Sequence, residues 1–401
     1  MSENILRQVN CVAIIGAGPS GLVSAKNALE NGLKPFVFDQ SVTIGGHWAL
    51  ETYVWSGLIS DASFYKEAFS DFPWSPESAL FPSAIEIQKY LLAYVKKFDL
   101  ERHIFLKNKV KLIEQVQCGK WSIHATDLVT NKVKCKVFDF LIVATGEHAC
   151  PRIPIIENAD VFRGLKIHSS EFKTNLQKFH SKTVVVVGCS IRGSEISEKL
   201  VGNAKQVINV FRRPYIITPR LICFKKEPKI ENDQDDFGNY GIIPWDMYFF
   251  RRSFVFQNFE SKKKHISELF PEQTNKELSH PALYIDMNTL SSSNQLPLLS
   301  ISNFYNLYVK EKKIIPICST IKRFESNGIL LEDNSFHEID VIIYCSGYDK
   351  SIKRFLKLTQ IQFDSMNRKN LLDHSVYKCT FHPNIENAAF VGLSTGTLVF
   401  S

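Results

Sequence analysis

Two glycine-rich turns in this sequence have the residue types and spacing that hold phosphate groups. The first is Gly16-Ala17-Gly18-Pro19-Ser20-Gly21 and the second is Gly188-Cys189-Ser190-Ile191-Arg192-Gly193, followed by Ser194. In such a turn the first glycine allows a sharp bend, the second lets the backbone approach a pyrophosphate, and the third lets helix and strand pack closely. The helix that follows offers free N–H groups and the positive end of its dipole. Beyond each turn stands a charge, and the two charges are opposite. Asp39 lies 18 residues past Gly21, whereas Arg212 and Arg213 follow the second turn. A carboxylate there accepts hydrogen bonds from a ribose 2′-hydroxyl and repels a 2′-phosphate, while a guanidinium binds a 2′-phosphate. The first turn is therefore expected to take FAD and the second NADPH. Ser190 replaces the second glycine of its turn and adds a hydroxyl donor, and Arg192 beside it is placed to meet a pyrophosphate.

The elements that must position these turns are legible as apolar runs. Cys11-Val12-Ala13-Ile14-Ile15 and Thr183-Val184-Val185-Val186-Val187 read as buried strands. Each leads through its turn into an amphipathic segment, Leu22 to Asn31 and Ser194 to Leu200, and then into a second strand, Pro35 to Phe38 and Gln206 to Phe211. Gly32 reads as a helix C-cap. A second echo runs parallel to the first. Asp139-Phe140-Leu141-Ile142-Val143-Ala144-Thr145-Gly146 resembles Asp340-Val341-Ile342-Ile343-Tyr344-Cys345-Ser346-Gly347, each with an Asp seven residues before a Gly. These read as late strands running up to a ligand-facing edge. The expected fold is α/β: two Rossmann-like dinucleotide-binding domains, the NADP domain inserted into the FAD domain. The expected boundaries are 1–157 and 329–401 for the FAD domain and 158–328 for the NADP domain. An aromatic-rich insertion spans about 214–299 and includes Trp245, Phe249, Phe250, Phe254 and Phe256; substrate channel and core packing are both open readings of it.

Composition excludes several function classes. The chain has 401 residues, 44% hydrophobic and 22% charged, as ordinary globular proteins do. No apolar run approaches the roughly 20 residues of a membrane-spanning helix, and the first apolar segment is too short for a signal peptide. The net charge of +7 is spread along the chain, with Lys262-Lys263-Lys264 its densest run, so no nucleic-acid stripe is expected. Nine cysteines are scattered without a C-x-x-C, which fits free thiols in a reducing, cytoplasmic setting and leaves no redox pair for disulfide reduction. A flavin and a nicotinamide cofactor without such a pair direct the electrons to oxygen or to an external acceptor. Oligomeric state is not legible.

Between the turns lies Phe162-Arg163-Gly164-Leu165-Lys166-Ile167-His168-Ser169-Ser170-Glu171-Phe172, which resembles the F-x-G-x-x-x-H-x-x-x-[YF] sequence that identifies the flavin-containing monooxygenases. The related Baeyer–Villiger enzymes usually carry Trp where Phe172 stands. Gly45-Gly46-His47-Trp48 is similar to that family's flavin loop. Ser70 to Pro73, Ala144-Thr145-Gly146, Gly347-Tyr348 and Pro383 to Gly392 also follow its pattern, in order along nearly the whole chain. The resemblance implies that NADPH reduces FAD, that reduced FAD with oxygen gives a C4a-hydroperoxyflavin, and that a soft nucleophile, an amine nitrogen or a sulfide sulfur, takes the distal oxygen. It implies a small-molecule substrate and O2 as partners. It places Gly46, His47, Trp48, Ser60, Ala62, Thr145, Gly146 and Gly347 among the cofactor contacts, with Asp61 as the catalytic candidate. His168 reads better as shaping the linker than as a catalyst.

Three departures accompany the resemblance. The family commonly has Asn where this chain has Asp61; an amide donates hydrogen bonds, whereas an ionised carboxylate only accepts them. Either burial protonates Asp61, or the oxygenated intermediate is held less well. Ile191-Arg192 stands where Asn-Ser is frequent. The family pattern normally continues with a helix beyond the position of Gly392, and its membrane-bound members end in an apolar tail that the residues up to Ser401 do not show. Two further readings therefore stay open: an NADPH oxidase releasing hydrogen peroxide, and a non-catalytic flavin-binding protein.

Overall fold

A computed structural model describes residues 10–50, 54–55, 57–173, 175–225, 240–249, 257–289, 297–349, 356–357, 377–378 and 380–392. The chain divides into two compact units. One comprises 1–60, 64–151 and 348–401; the other, inserted into it, comprises 61–63 and 152–347. Phe250, Phe254 and Phe256 of the insertion lie outside the described residues.

In the outer unit a parallel sheet runs in the order Ala388–Phe390, Phe140–Val143, Cys11–Ile15, Lys34–Phe38, Ile104–Phe105. Its central strand is apolar at every position because both faces are covered, as parallel sheets require. Val12 and Ile14 pack with Leu22 and Ala25 of the helix Pro19–Glu30 and with Leu91 and Tyr94 of the helix Ala84–Lys97. Ala13 and Ile15 face Ile113, Trp121 and Phe138 of a second, mostly antiparallel sheet.

The inner unit repeats this plan. Its parallel sheet runs Ile314–Cys318, Gln206–Phe211, Thr183–Val187, Val341–Tyr344, Leu165–His168. Val185, Ile208, Val210 and Ile342 pack against Ile321, Phe324, Ile329 and Leu331 of a three-stranded antiparallel sheet. The boundaries differ from those expected at 157/158 and 328/329. The strand Val341–Tyr344 hydrogen-bonds to Thr183–Val187, so the chain leaves the inner unit after Gly347.

The paired late strands reproduce each other down to single hydrogen bonds. The Asp139 carboxylate accepts from the Cys11 N–H at 2.8 Å, and the Asp340 carboxylate accepts from the Thr183 N–H at 2.8 Å. The N–H of Ala144 bonds the carbonyl of Ile15 at 2.9 Å, and that of Cys345 bonds the carbonyl of Val187 at 2.8 Å. Each Asp satisfies the first N–H of the strand that leads into its unit's glycine-rich turn.

The third glycine of each turn is held by backbone. A Cβ added at Gly21 would stand 1.8 Å from the Gly16 carbonyl oxygen, and one at Gly193 would stand 2.0 Å from the Gly188 oxygen. Neither carbonyl can move without breaking the turn. Gly21→Ala and Gly193→Ala are each expected to destabilise their unit by about 1–3 kcal/mol, read as a lower urea midpoint. Alanine at either position with an unchanged midpoint would show that the turns yield.

Candidate functional site

The helices behind the two turns begin in the same way. Pro19–Glu30 follows Gly18 and Ile191–Leu200 follows Ser190, both in extended backbone, with no side-chain cap and no acidic residue in the first turn. The contrast is Ala84–Lys97, whose N-terminus is closed by a reciprocal Ser83–Glu86 capping box. Both turn helices thus keep their first N–H groups facing outward, as an anion requires. Pro19, at the first helical position, removes one donor and pre-sets the backbone. Gly46 presses on the first turn: its Cβ would lie 2.9 Å from Gly18 Cα, and Gly45 N–H bonds the Ala17 carbonyl at 3.0 Å. His47 and Trp48 complete this short helical turn. From the other side a Cβ at Gly392 would stand 2.2 Å from Ser20 Oγ, which places the end of the Pro383–Gly392 segment against the same helix start.

Asp39 sits at the end of Lys34–Phe38, where its carboxylate accepts from the N–H of Ala17 at 2.7 Å and of Ser41 at 2.7 Å. It therefore braces the first turn, and carboxylate lone pairs remain for a ribose. Its expected counterpart is shifted by one residue. Gly16 N–H bonds the Phe38 carbonyl and Gly188 N–H bonds the Val210 carbonyl. Buried Phe211, not Arg212, therefore stands in the register of Asp39. Arg212 and Arg213 follow it, both exposed. Thr145 is half-buried, and Gly146 and Gly347 turn with positive φ into open space, +70° and +79°. Ser194 departs from expectation. It is fully buried, its N–H bonds the Ser190 carbonyl, and its hydroxyl meets Ser300 Oγ at 2.7 Å, so both its polar groups serve packing.

Asp61 and Ala62 belong to the short segment 61–63 that packs within the inner unit, while Ser60, buried in the outer unit, donates to Glu67 at 2.5 Å. Arg220 donates from one nitrogen to Asp61 at 3.0 Å and to Glu195 at 2.6 Å. The three side chains are only 11–17% exposed. Burial and the Asp61 charge push the Glu195 carboxyl up from 4.5 to about 8, against the pull of Arg220. Burial opposes the Arg220 charge, but Asp61 and Glu195 outweigh it and raise the guanidinium above its ordinary value. The expected choice at Asp61, protonation or a bare anion, is replaced by a shared guanidinium. Trp245 donates its indole N–H to the Asp61 carbonyl, and fully buried Asp246 accepts from the N–H and Oγ of Ser63 at 2.8 and 2.7 Å. Arg220, Glu195 and Asp246 carry no mark in the sequence, since Arg220 meets Asp61 across 159 residues, and Trp245 is marked there only as one aromatic of the insertion.

His168 is buried. Its Nδ1 accepts from the Ser170 N–H at 3.2 Å, and its Nε2 donates to the Gly347 carbonyl at 3.0 Å. Burial lowers its pKa, so the ring is neutral and ties the identifying sequence to the exit of the inner unit. Phe162 and Phe172 are buried too, Phe172 stacked on Phe179 at 5.6 Å.

The raised Glu195 gives a signed pH effect. The folded protein keeps this proton between about pH 4.5 and about 8 while the unfolded chain releases it, so folding stability is lost as pH rises through that window. Glu195→Gln, neutral in both states, lacks this slope. The thermal midpoint of the variant relative to the parent should climb steadily across the window; a pH-independent difference would show that Glu195 is ionised in the fold.

A family model described as flavin-binding monooxygenase-like matches residues 9–397. The sequence is 27% identical over 384 residues to 4-hydroxybenzoate brominase (decarboxylating) of Marinomonas mediterranea, covering 95% of this chain and 69% of that protein. It is 26% identical to human flavin-containing monooxygenase 2, again over 95% of this chain and 69% of the relative. Among solved structures, cyclohexanone monooxygenase aligns with a TM-score of 0.69 at 17% identity, over 95% of this chain and 82% of that one. S-allyl-L-cysteine S-oxygenase from Allium sativum aligns with a TM-score of 0.62 at 19% identity, over 97% and 73%. These two likenesses bear on the fold with two dinucleotide-binding domains. No helix among the described residues is long and apolar enough to cross a membrane. With a family match over nearly its whole length, the chain belongs to the flavin-binding monooxygenase-like family, whose cofactors are FAD and NADP(H).

Proposed function

We propose that this protein is an NADPH- and O2-dependent monooxygenase that transfers one oxygen atom to a soft nucleophile, with nitrogen or sulfur as the accepting atom. The observation that carries this reading is the pair of side-chain-free helix starts, one behind a carboxylate-braced turn and one followed by two exposed arginines. When bound, FAD supplies the oxygen activation. The outer turn, Gly16 to Gly21, would hold the FAD pyrophosphate on its helix N–H groups, with Asp39 accepting from the ribose. Gly188, Ser190, Arg192 and Gly193 would hold the NADPH pyrophosphate, and Arg212 and Arg213 the 2′-phosphate. The remaining work of the protein is orientation and exclusion of water. Similarity to a brominase fits the same chemistry, since bromide is also a soft nucleophile, and places it among the acceptors to be tried.

A second reading, an NADPH oxidase releasing hydrogen peroxide, is favoured by one observation. Asp61 presents a carboxylate already engaged by Arg220, where the family's amide would donate. Peroxide released per NADPH consumed, measured with a tertiary amine, a thioether, or bromide plus a phenol, separates the two. Oxygenated product with peroxide well below NADPH consumption supports the monooxygenase; one peroxide per NADPH with every acceptor establishes the oxidase. Asp61→Asn should lower the peroxide ratio, and an unchanged ratio would clear Asp61 of that effect. The coenzyme assignment has its own test. Arg212→Ala with Arg213→Ala should weaken NADPH by about 1.5–3 kcal/mol through a lost charge-assisted contact and leave NADH nearly unchanged. Equal effects on both coenzymes would place the 2′-phosphate elsewhere.

A further inference from the structure

The two turns are braced by different devices. In the outer unit the Asp39 carboxylate reaches the Ala17 N–H at 2.7 Å. In the inner unit the matching register position is Phe211, apolar and 3% exposed, so no carboxylate is available there. Two residues earlier stands Asn209, fully buried within the strand Gln206–Phe211, and its outer-unit counterpart is fully buried Val37. The Asn209 amide nitrogen donates to the carbonyl of Val186 at 2.9 Å and to that of Gly188, the first glycine of the turn, at 2.9 Å. Its Oδ1 accepts from the hydroxyl of Tyr305, also fully buried, at 2.6 Å. The Tyr305 hydroxyl is further joined to the Cys189 thiol, the second residue of the turn, and burial pushes that thiol up to about 12, so it stays neutral.

We infer that Asn209, oriented by Tyr305, is a positioning residue for the nicotinamide coenzyme. It fixes the carbonyl of Gly188, which sits directly beneath Gly193, and so sets where the N–H groups of the inner turn point. The hydroxyl donating to Oδ1 decides the amide orientation, which leaves both amide hydrogens for the two carbonyls. Every polar atom of the bracket is paired, the condition under which a buried polar network rigidifies rather than weakens a structure. A neutral amide suits the place, because a carboxylate at Asn209 would face two carbonyl oxygens without a donor. Where the outer turn has its second glycine, Gly18, the inner one has Ser190, and the bracket gives the bulkier turn a fixed shape from below. Asn209 touches no coenzyme atom in this assignment; it acts through the turn backbone.

The inference rests on the reading that the inner turn takes NADPH, and the experiment separates the two. Asn209→Val puts the outer-unit residue in the inner strand, and Tyr305→Phe removes only the orienting hydroxyl. Leaving a buried carbonyl unpaired costs enough to raise the KM for a coenzyme about tenfold. The expected result is a KM about tenfold higher in Asn209→Val for NADPH and for NADH alike, because the turn holds the pyrophosphate that both share. Tyr305→Phe should give a smaller rise in the same direction, with FAD content and kcat at saturating coenzyme retained in both. The Arg212→Ala, Arg213→Ala protein instead shifts NADPH alone. If that double variant behaves as expected while Tyr305→Phe and Asn209→Val leave both KM values at the parent level, the positioning role is overturned and the coenzyme assignment stands. If Asn209→Val does not fold, Tyr305→Phe decides. A loss of FAD or of kcat without a change in KM marks a merely structural role and also overturns the inference.

Discussion

Everything in each unit depends on how closely a helix is allowed to approach the strand before it. In both units the third glycine of the turn rests its Cα directly on the carbonyl of the first, at a separation that admits no side chain. That contact fixes the helix start relative to the end of the first strand, and with it the direction of the N–H groups of the helix's first turn. The late strand closes the arrangement from the far side. A Cβ at Gly16 would meet the Ala144 carbonyl at 2.3 Å, and one at Gly188 the Cys345 carbonyl at 2.7 Å. The turn is thus caught between its own helix and the neighbouring strand. A phosphate meeting such a turn finds its donors already aligned, so little ordering remains to be done on binding.

The segment around Asp61 follows a different logic, in which charge rather than steric contact sets the geometry. Two carboxyls meet one guanidinium in a nearly dry place. Burial and the Asp61 charge favour the protonated form of Glu195 there, against the charges of Arg220 and Arg192. Asp61 is then left facing Arg220, with its own carbonyl bonded by Trp245 and the next turn of chain bonded by Asp246. The aromatic insertion thereby acquires a concrete part. Its short helix Trp245–Phe249 begins with the two residues that grip 61–63, and this helix buries Trp245, Tyr248 and Phe249.

Much of this was legible in the chain because parallel strands buried on both faces must be apolar throughout, and Val12–Ile15 and Val184–Val187 are. The repeated Asp seven residues before a Gly was also visible, though not its work of satisfying the first N–H of Cys11 and Thr183. That pairing joins residues 128 and 157 positions apart, and local spacing does not encode it. Counting residues from the turn placed Arg212 opposite Asp39, because the count does not register where the ladder stops pairing; hydrogen bonding shows Phe211 there. Ser194 resembled a phosphate ligand by its place after the turn, yet helix periodicity turns it into the core. The return to the outer unit was set too early because the late strand of the inner sheet comes after its covering hairpins in sequence. The Arg220 cluster and the Asn209–Tyr305 bracket were beyond reach for one reason: each joins polar residues far apart in sequence, Asp61 with Arg220 and Asn209 with Tyr305.

The two exposed arginines beyond Phe211 have a consequence of a different order. Phe211 fills the register position and completes the core, so Arg212 and Arg213 carry no packing duty. Substitution at such surface positions usually leaves folding free energy within about half a kcal/mol. In the outer unit, by contrast, Asp39, the residue proposed to meet the ribose, also braces the turn. On the proposed assignment, coenzyme choice at the inner turn is free to drift under selection without a toll on foldability, while the outer cofactor is locked to the integrity of its domain.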